Sequence, residues 1–305
     1  MSDEKPTISV IIPTYDRANL VGRSIQSVLN QTYRDLELII VDDASKDNTE
    51  DVIKSFNDER IKYIRHEKNK GGSAARNTGI NLAKGGFLAF LDSDDEWFPE
   101  KLEKQMNVFQ NALSNVGVVY TGYYWIGNNV KTYTPPDRII QKDGNIQEAL
   151  LKENFITTSA ALVKKECFEK LGSFDEKFPA LQDWELFIRF SKYYCFRCID
   201  EPLVRLYYQS TSISSDHKAR TRALELIIEK HFEDLKKYKP TLATHYVSIG
   251  RQWYYNGNKY KGIKYYLKAI KTNPISMGLL LSIIITLFGR NVHVKAVESY
   301  QKVFK

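Results

Sequence analysis

This sequence predicts an α/β protein with a mostly parallel sheet covered on both faces, and three observations predict it. Short β-branched runs alternate with helix-spaced apolar residues through the first hundred positions. The spacers between those runs are long enough for helical crossovers, which set successive strands side by side in right-handed parallel units. At 305 residues, with 43% hydrophobic and 12% aromatic content, the chain has the length and apolar surface for one large α/β domain plus an appendage.

The elements follow in order. Ile8-Ser9-Val10-Ile11-Ile12 reads as a first strand, and Leu20, Ile25, Val28 and Leu29 then recur at helical spacing. Residues 36–41 form a second strand, 51–56 part of a helix, 61–64 a third strand, 74–83 a helix and 87–91 a fourth strand. Another helix is expected from Pro99, because proline suits the first helical position.

The fourth strand carries the strongest chemical signal. Phe90-Leu91-Asp92-Ser93-Asp94-Asp95-Glu96 turns from apolar to acidic at what would be the carboxyl edge of the sheet, where open α/β sheets bind ligands. Crowded carboxylates repel one another unless a cation lies between them, and hard divalent ions prefer oxygen ligands. A metal-bridged phosphate is the implied guest. The plainer reading, acids capping the helix after Trp97-Phe98-Pro99, accounts for the same residues taken alone.

Three strand ends converge on that edge. The first leads into Pro13-Thr14-Tyr15-Asp16-Arg17, the second into Asp42-Asp43-Ala44-Ser45, and the fourth into the acids. Asp43 is placed to accept from a base N–H, Tyr15 to stack on a base, and Arg76 to meet phosphate oxygens. In isolation Asp42 and Asp43 read as turn residues, Tyr15 as a packed aromatic and Arg76 as a surface charge. Gly-x-Gly-x-x-Gly and Gly-x-x-x-x-Gly-Lys-Ser/Thr are both absent, and Lys70-Gly71-Gly72-Ser73 fits neither pattern.

Other features bound the setting. Residues 1–6 lack the basic region and apolar run of a signal peptide, and only 3 cysteines occur, so a cytoplasmic, reducing location is expected. Cys195-Phe196-Arg197-Cys198 has the spacing of a metal or redox pair, but in a strand-like run the two thiols point to opposite faces, so a structural role is expected. Residues 218–305 hold 17 Lys and Arg against 5 Asp and Glu, or +12, and with a total of +7 the first 217 residues carry −5. The chain therefore divides into a neutral-to-acidic domain over 1–215 and a basic helical region over 216–305. No base-reading motif accompanies the basic charge, which argues against nucleic acid as a partner.

The ordered set of motifs resembles glycosyltransferase family 2, the inverting nucleotide-sugar transferases of the GT-A fold. The resemblance rests on Val10-Ile11-Ile12-Pro13-Thr14-Tyr15, Ser27-Val28-Leu29-Asn30-Gln31-Thr32, Val41-Asp42-Asp43-Ala44-Ser45, residues 69–79 from Asn69-Lys70-Gly71 through Arg76-Asn77-Thr78-Gly79, and Leu91-Asp92-Ser93-Asp94-Asp95. It covers residues 7 to about 210. It implies that Asp43 reads the base beside Pro13, Tyr15 and Arg76, that Asp94 contacts the ribose, and that Asp95 with Asp94 holds Mn2+ or Mg2+ on the diphosphate.

Leu181-Gln182-Asp183-Trp184-Glu185-Leu186 resembles the same family's acidic motif, whose aspartate is the general base; Gln182 stands where glutamate is commoner. Such a base is chemically required, because an attacking hydroxyl must lose a proton, although on residue type alone Asp183 reads as a helix cap. Nothing after Asp183 matches the Gln-x-x-Arg-Trp of processive members. The resemblance thus implies metal-dependent, inverting transfer of a single sugar from a nucleotide sugar, UDP-linked, to a glycan or lipid-linked acceptor. A sugar-nucleotide nucleotidyltransferase and a non-catalytic nucleotide-sugar-binding scaffold are the alternatives. Donor and acceptor contacts are expected in segments 120–136 and 154–159.

The basic region has its own pattern. A helix is expected over 219–237, and Tyr246, Ile249, Gly250 and Trp253, then Gly262, Tyr266, Ala269 and Pro274, follow the spacing of one tetratricopeptide-like hairpin. Residues 275–288 form an apolar run of 14, short of the ~20 needed to span a bilayer. Packing against the hairpin is one outcome for it. Shallow insertion at an anionic membrane surface on the cytoplasmic side is the other.

Overall fold

A computed structural model describes residues 6–127, 130–208, 216–274 and 276–287. The chain divides into two compact units, one of Met1–Lys177 with Gln182–Thr211, the other of Phe178–Leu181 with Ser212–Lys305.

The first unit is built on a nine-stranded sheet. Four strands, β1 (Ile8–Thr14), β2 (Leu36–Asp42), β3 (Ile61–Arg65) and β4 (Phe87–Phe90), are parallel neighbours in the order β3-β2-β1-β4. Every residue of β1 and β2 is buried, which is why both read as unbroken apolar runs: helices cover both faces. The crossovers are α1 (Val21–Leu29), α2 (Thr49–Lys54) and α3 (Gly72–Leu82), all within a few residues of the expected helices. Helix α4 (Lys101–Gln110) starts two residues after Pro99.

Beyond β4 the sheet turns mixed, a feature the periodicity did not reveal. The remaining strands are β5 (Glu96–Trp97), β6 (Val116–Gly127), β7 (Val130–Thr134), β8 (Ala161–Lys164) and β9 (Cys195–Tyr207). β8 lies antiparallel between β4 and β6, β9 runs parallel to β6, and β5 closes the edge antiparallel to β9. Two reversals restore the original direction, so β6 and β9 end at the same edge as β1, β2 and β4. Helices α5 (Gln147–Lys152), α6 (Lys165–Leu171) and α7 (Gln182–Ser191) complete this half. Cys195 and Cys198 are free thiols within β9.

The second unit is helical: α8 (His217–Lys230), α9 (Phe232–Leu235), α10 (Lys239–Tyr255), α11 (Lys259–Thr272) and α12 (Met277–Leu287). Asp216 caps α8 by accepting from Lys218 and Ala219 N–H. α10 and α11 approach closely where glycine removes the side chain, since a Cβ on Gly250 would fall 2.6 Å from the Tyr266 ring and one on Gly262 2.8 Å from the Gly250 carbonyl. Buried Glu225 of α8 accepts from Trp253 Nε1 at 2.8 Å and pairs with Lys261 at 2.9 Å, tying three helices together. Among the described residues no helix is long and apolar enough to cross a membrane.

Candidate active site

The first two strand ends are wired to one another. Pro13 lies buried in β1 opposite Val41 of β2, and Asp43 N–H donates to the Thr14 carbonyl at 2.8 Å. Tyr15, just beyond, is 37% exposed, an aromatic ring left open at the sheet edge. Asp16, at φ 50°, accepts from Lys46 N–H, which bonds the loop after β1 to the loop after β2.

The two consecutive aspartates then take different roles. Asp42 accepts from Ser45 N–H at 2.8 Å and the Tyr63 hydroxyl at 2.8 Å, so it is a turn residue. Asp43, 3% exposed, accepts from Lys70 N–H at 2.8 Å on Oδ1 and Gly71 N–H at 2.7 Å on Oδ2. Its Oδ1 also meets Nδ1 of buried His66 at 2.7 Å, and His66 Nε2 lies 2.9 Å from the Thr78 hydroxyl. Asp43 thereby orients the loop that starts α3. Sequence reasoning passed over His66 and Thr78. The available signal was position, since parallel pairing of Asp42 with Arg65 brings the next residue of each strand, Asp43 and His66, to one edge.

The acidic cluster sorts in the same way. Asp92, absent from the expected ligand set, is ion-paired with Arg76, so the guanidinium meets an acid before any phosphate. The Arg23 guanidinium donates to the Asp94 carbonyl and lies 3.8 Å over the Tyr207 ring. Burial, then the Asp92 carboxylate, raises the Asp94 carboxyl above its ordinary range, with Arg17 and Arg23 opposing. Asp95, 5% exposed, accepts among the described residues from the Ser159 hydroxyl at 3.1 Å and Tyr207 N–H at 3.3 Å. Burial, followed by the neighbouring Asp92 and Asp94 carboxylates, pushes its carboxyl well above the usual range.

A buried carboxylate with two long hydrogen bonds and two acidic neighbours is chemically suited to a hard divalent cation, which would favour its charged form. Among the described residues no three His, Cys, Asp or Glu side chains gather as a closed metal site.

Asp183 lies in the first turn of α7, half-buried. Its Oδ1 accepts from Trp184 N–H at 2.7 Å and from Asn154 Nδ2 at 3.4 Å. Burial raises this carboxyl; Arg76 pulls it down and Asp92 pushes it up, so Asp183 shares a charge environment with the acidic cluster. Glu185, the nearby acid, is fully buried and paired with Arg189 through both oxygens at 3.1 and 3.0 Å. Arg189 in turn donates to the Leu171, Gly172 and Ser173 carbonyls. That pairing commits Glu185 and leaves Asp183 as the half-buried acid of α7.

Comparisons with known proteins bear on the family and the fold. The family model for glycosyl transferase family 2 matches residues 9–172. An uncharacterized glycosyltransferase of Rickettsia prowazekii is 31% identical over 75% of this chain and 70% of its own. The Escherichia coli UDP-Glc:alpha-D-GlcNAc-diphosphoundecaprenol beta-1,3-glucosyltransferase WfgD is 42% identical over 43% of this chain and 52% of its own. Among solved structures, the Pyrobaculum calidifontis mannosyltransferase PcManGT, in complex with GDP-Man and Mn2+, superposes with a TM-score of 0.62 at 20% identity over 97% of this chain and 84% of its own. The match takes in as little as 27% of the length of some curated relatives. With mixed sheet, helical C-terminal region and family model in agreement, the fold is GT-A and the chain belongs to glycosyl transferase family 2.

Proposed function

We propose that this chain is a glycosyltransferase that moves a single sugar, with inversion, from a UDP-sugar to a hydroxyl of a glycan or lipid-linked acceptor in the assembly of a cell-surface polysaccharide. The observation that carries this reading is that the ion pair of Arg76 with Asp92 stands by both sites, both of its members bearing on the Asp183 carboxyl. A displacement needs a base at one end and charge compensation at the other, and Asp183 and the acidic cluster offer candidates for both.

Asp183 takes the proton of the acceptor hydroxyl as that oxygen attacks the anomeric carbon. A carboxyl raised by burial is a stronger base than an ordinary aspartate. Attack from the face opposite the departing nucleoside diphosphate inverts the centre in one step. Asp94 and Asp95 would hold Mn2+ or Mg2+, which when bound supplies Lewis-acid neutralisation of the diphosphate.

Asp43 supports a choice of base. An ionised carboxylate only accepts hydrogen bonds. With three donors already on it, Asp43 retains an acceptor site on Oδ2 for a ring N–H such as that of uracil or guanine, and meets no ring N–H on cytosine or adenine, whose corresponding nitrogens accept and whose amino groups alone could donate to it. The UDP-Glc of the E. coli relative favours uracil. Calorimetry with UDP, GDP, CDP and ADP in Mn2+ tests the reading: UDP is expected to bind best and CDP and ADP at least ~10-fold more weakly. Equal affinity for all four refutes it.

The basic region is proposed to seat the enzyme on an anionic membrane surface. α11 exposes Tyr260, Ile263 and Leu267 among Lys264, Lys268 and Lys271, and α12 exposes Met277, Leu281, Ile284 and Leu287. Basic residues reaching such a surface contribute on the order of 1 kcal/mol each. Co-sedimentation with anionic vesicles is expected at low salt and is expected to weaken at high salt; a protein that stays in the supernatant throughout excludes it.

A further inference from the structure

We propose that Trp125 is the platform of an acceptor subsite that takes the face of a pyranose ring, so that the attacking hydroxyl belongs to a sugar and not to a bare lipid or its phosphate. The inference rests on the reading of Asp183 as the base and narrows the acceptor class that goes with it.

Strand direction places the residue. β6 runs the same way as β4, so its last turns of chain reach the edge where β4 delivers its acids. Trp125 pairs with Leu206 of β9, and the next residue, Tyr207, donates its N–H to Asp95. Trp125 is therefore one ladder position from the acidic cluster. From Val116 to Tyr123 every residue of β6 is buried, whereas Trp125 is 39% exposed.

Its surroundings name the ligand chemistry. Tyr123, two residues earlier and so on the same face of the strand, meets Trp125 edge-on with ring centroids 6.4 Å apart. Burial, and after it the Asp183 carboxylate, raises the Tyr123 phenol, so this aromatic pair lies within reach of the charge of the base. On the neighbouring strand, Thr132 lies opposite Trp125 and Thr134 opposite Tyr123. An exposed indole flanked by threonines on β7 and by buried Leu206 on β9 complements a sugar, which presents an apolar C–H face and a rim of hydroxyls.

Octyl glucoside and octyl N-acetylglucosaminide serve as ring-bearing probes and decyl phosphate as a ring-free one. Each is titrated into the full-length protein loaded with UDP and Mn2+, with tryptophan emission and calorimetry as readouts. At least one glycoside is expected to bind and shift the emission. Trp125→Phe is expected to retain its affinity within ~3-fold and lose most of that shift, and Trp125→Ala to weaken it ~10-fold or more, while decyl phosphate is indifferent to both. Glycoside affinity unchanged in Trp125→Ala overturns the proposal, as does absence of glycoside binding or a Trp125-dependent preference for decyl phosphate. UDP binding is measured alongside: its absence in the unsubstituted protein would defeat the proposed function itself, whereas intact UDP binding with an indifferent Trp125 defeats only the subsite.

Discussion

The ends of β2 and β4 each lead into a buried carboxylate, Asp43 and Asp95, and they treat it in opposite ways. Asp43 is surrounded by donors: two backbone N–H groups and an imidazole hold it at 2.7 to 2.8 Å. Asp95 is surrounded by other acids and receives two bonds no shorter than 3.1 Å. The first end is organised without a ligand, because its charge is already compensated by the fold. The second is uncompensated electrostatically, and on the proposed reading a cation entering with substrate would supply the missing charge. One end is thus built for shape and hydrogen-bond pattern, the other for charge.

The largest expected effect separates both binding ends from the chemistry. Asp183→Asn keeps the shape and removes the basicity, so turnover is expected to fall about 10²-fold or more while UDP affinity is unchanged. The pH profile sharpens the assignment. A base works only when deprotonated, and because burial raises the Asp183 carboxyl, activity is expected to be lost on acidification at a pH above the ordinary aspartate range near ~4. Near-normal turnover in the variant would take the proton transfer away from Asp183. Glu185 is a poor substitute, since its carboxylate is already committed to Arg189.

The next effect tests the charged end. Chelation, or Asp95→Asn, is expected to weaken UDP binding ~10-fold or more, as a phosphate site loses its counter-charge. The same substitution carries a signed consequence for stability. A carboxyl whose folded pKa is raised binds its proton more tightly in the folded state, so its contribution favours folding below the ordinary carboxylate range and is lost as pH rises through the folded pKa. At neutral pH without metal, Asp95→Asn is therefore expected to raise the melting temperature, and to abolish the further rise that Mn2+ gives the unsubstituted protein. A melting temperature that falls in the metal-free variant would mean that Asp95 is a structural acceptor like Asp43, and the contrast between the ends would fail.

How much of this was legible follows from which contacts are local. β1 to β4 and their helices were readable because each repeats within its own segment: alternating or unbroken apolar runs, then helical spacing. The acids, Asp43 and Arg76 were readable because parallel strands bring their ends to one edge whatever the remainder does. The bonds that decide what each acid does come from elsewhere in the chain. Ser159 and Tyr207 reach Asp95 from 64 and 112 positions away, through strands whose antiparallel and parallel pairings no local period encodes. The expected phosphate contact of Arg76 overlooked Asp92 for a related reason, since the pair is set by the angle between α3 and the end of β4.

The smallest expected effect probes the donor-rich end through a residue that never touches the nucleotide. His66 spans Asp43 and Thr78, so removing its ring leaves a buried carboxylate short of one donor. Such a loss costs about 1–3 kcal/mol where the group stays buried. Spread between folding and binding, it is expected to appear in His66→Leu as a fall in melting temperature and a rise of ~5-fold in KM for the nucleotide sugar with kcat nearly unchanged. The distinguishing readout is discrimination: with Oδ1 freed to rotate, the preference for UDP over CDP is expected to shrink. His66→Asn places an amide N–H near the former Nδ1 position and is expected to restore the preference even though the Thr78 contact is lost. If His66→Leu lowers stability but leaves the UDP-to-CDP ratio intact, the imidazole only fills space, and the orientation of Asp43 is set by Lys70 and Gly71 alone.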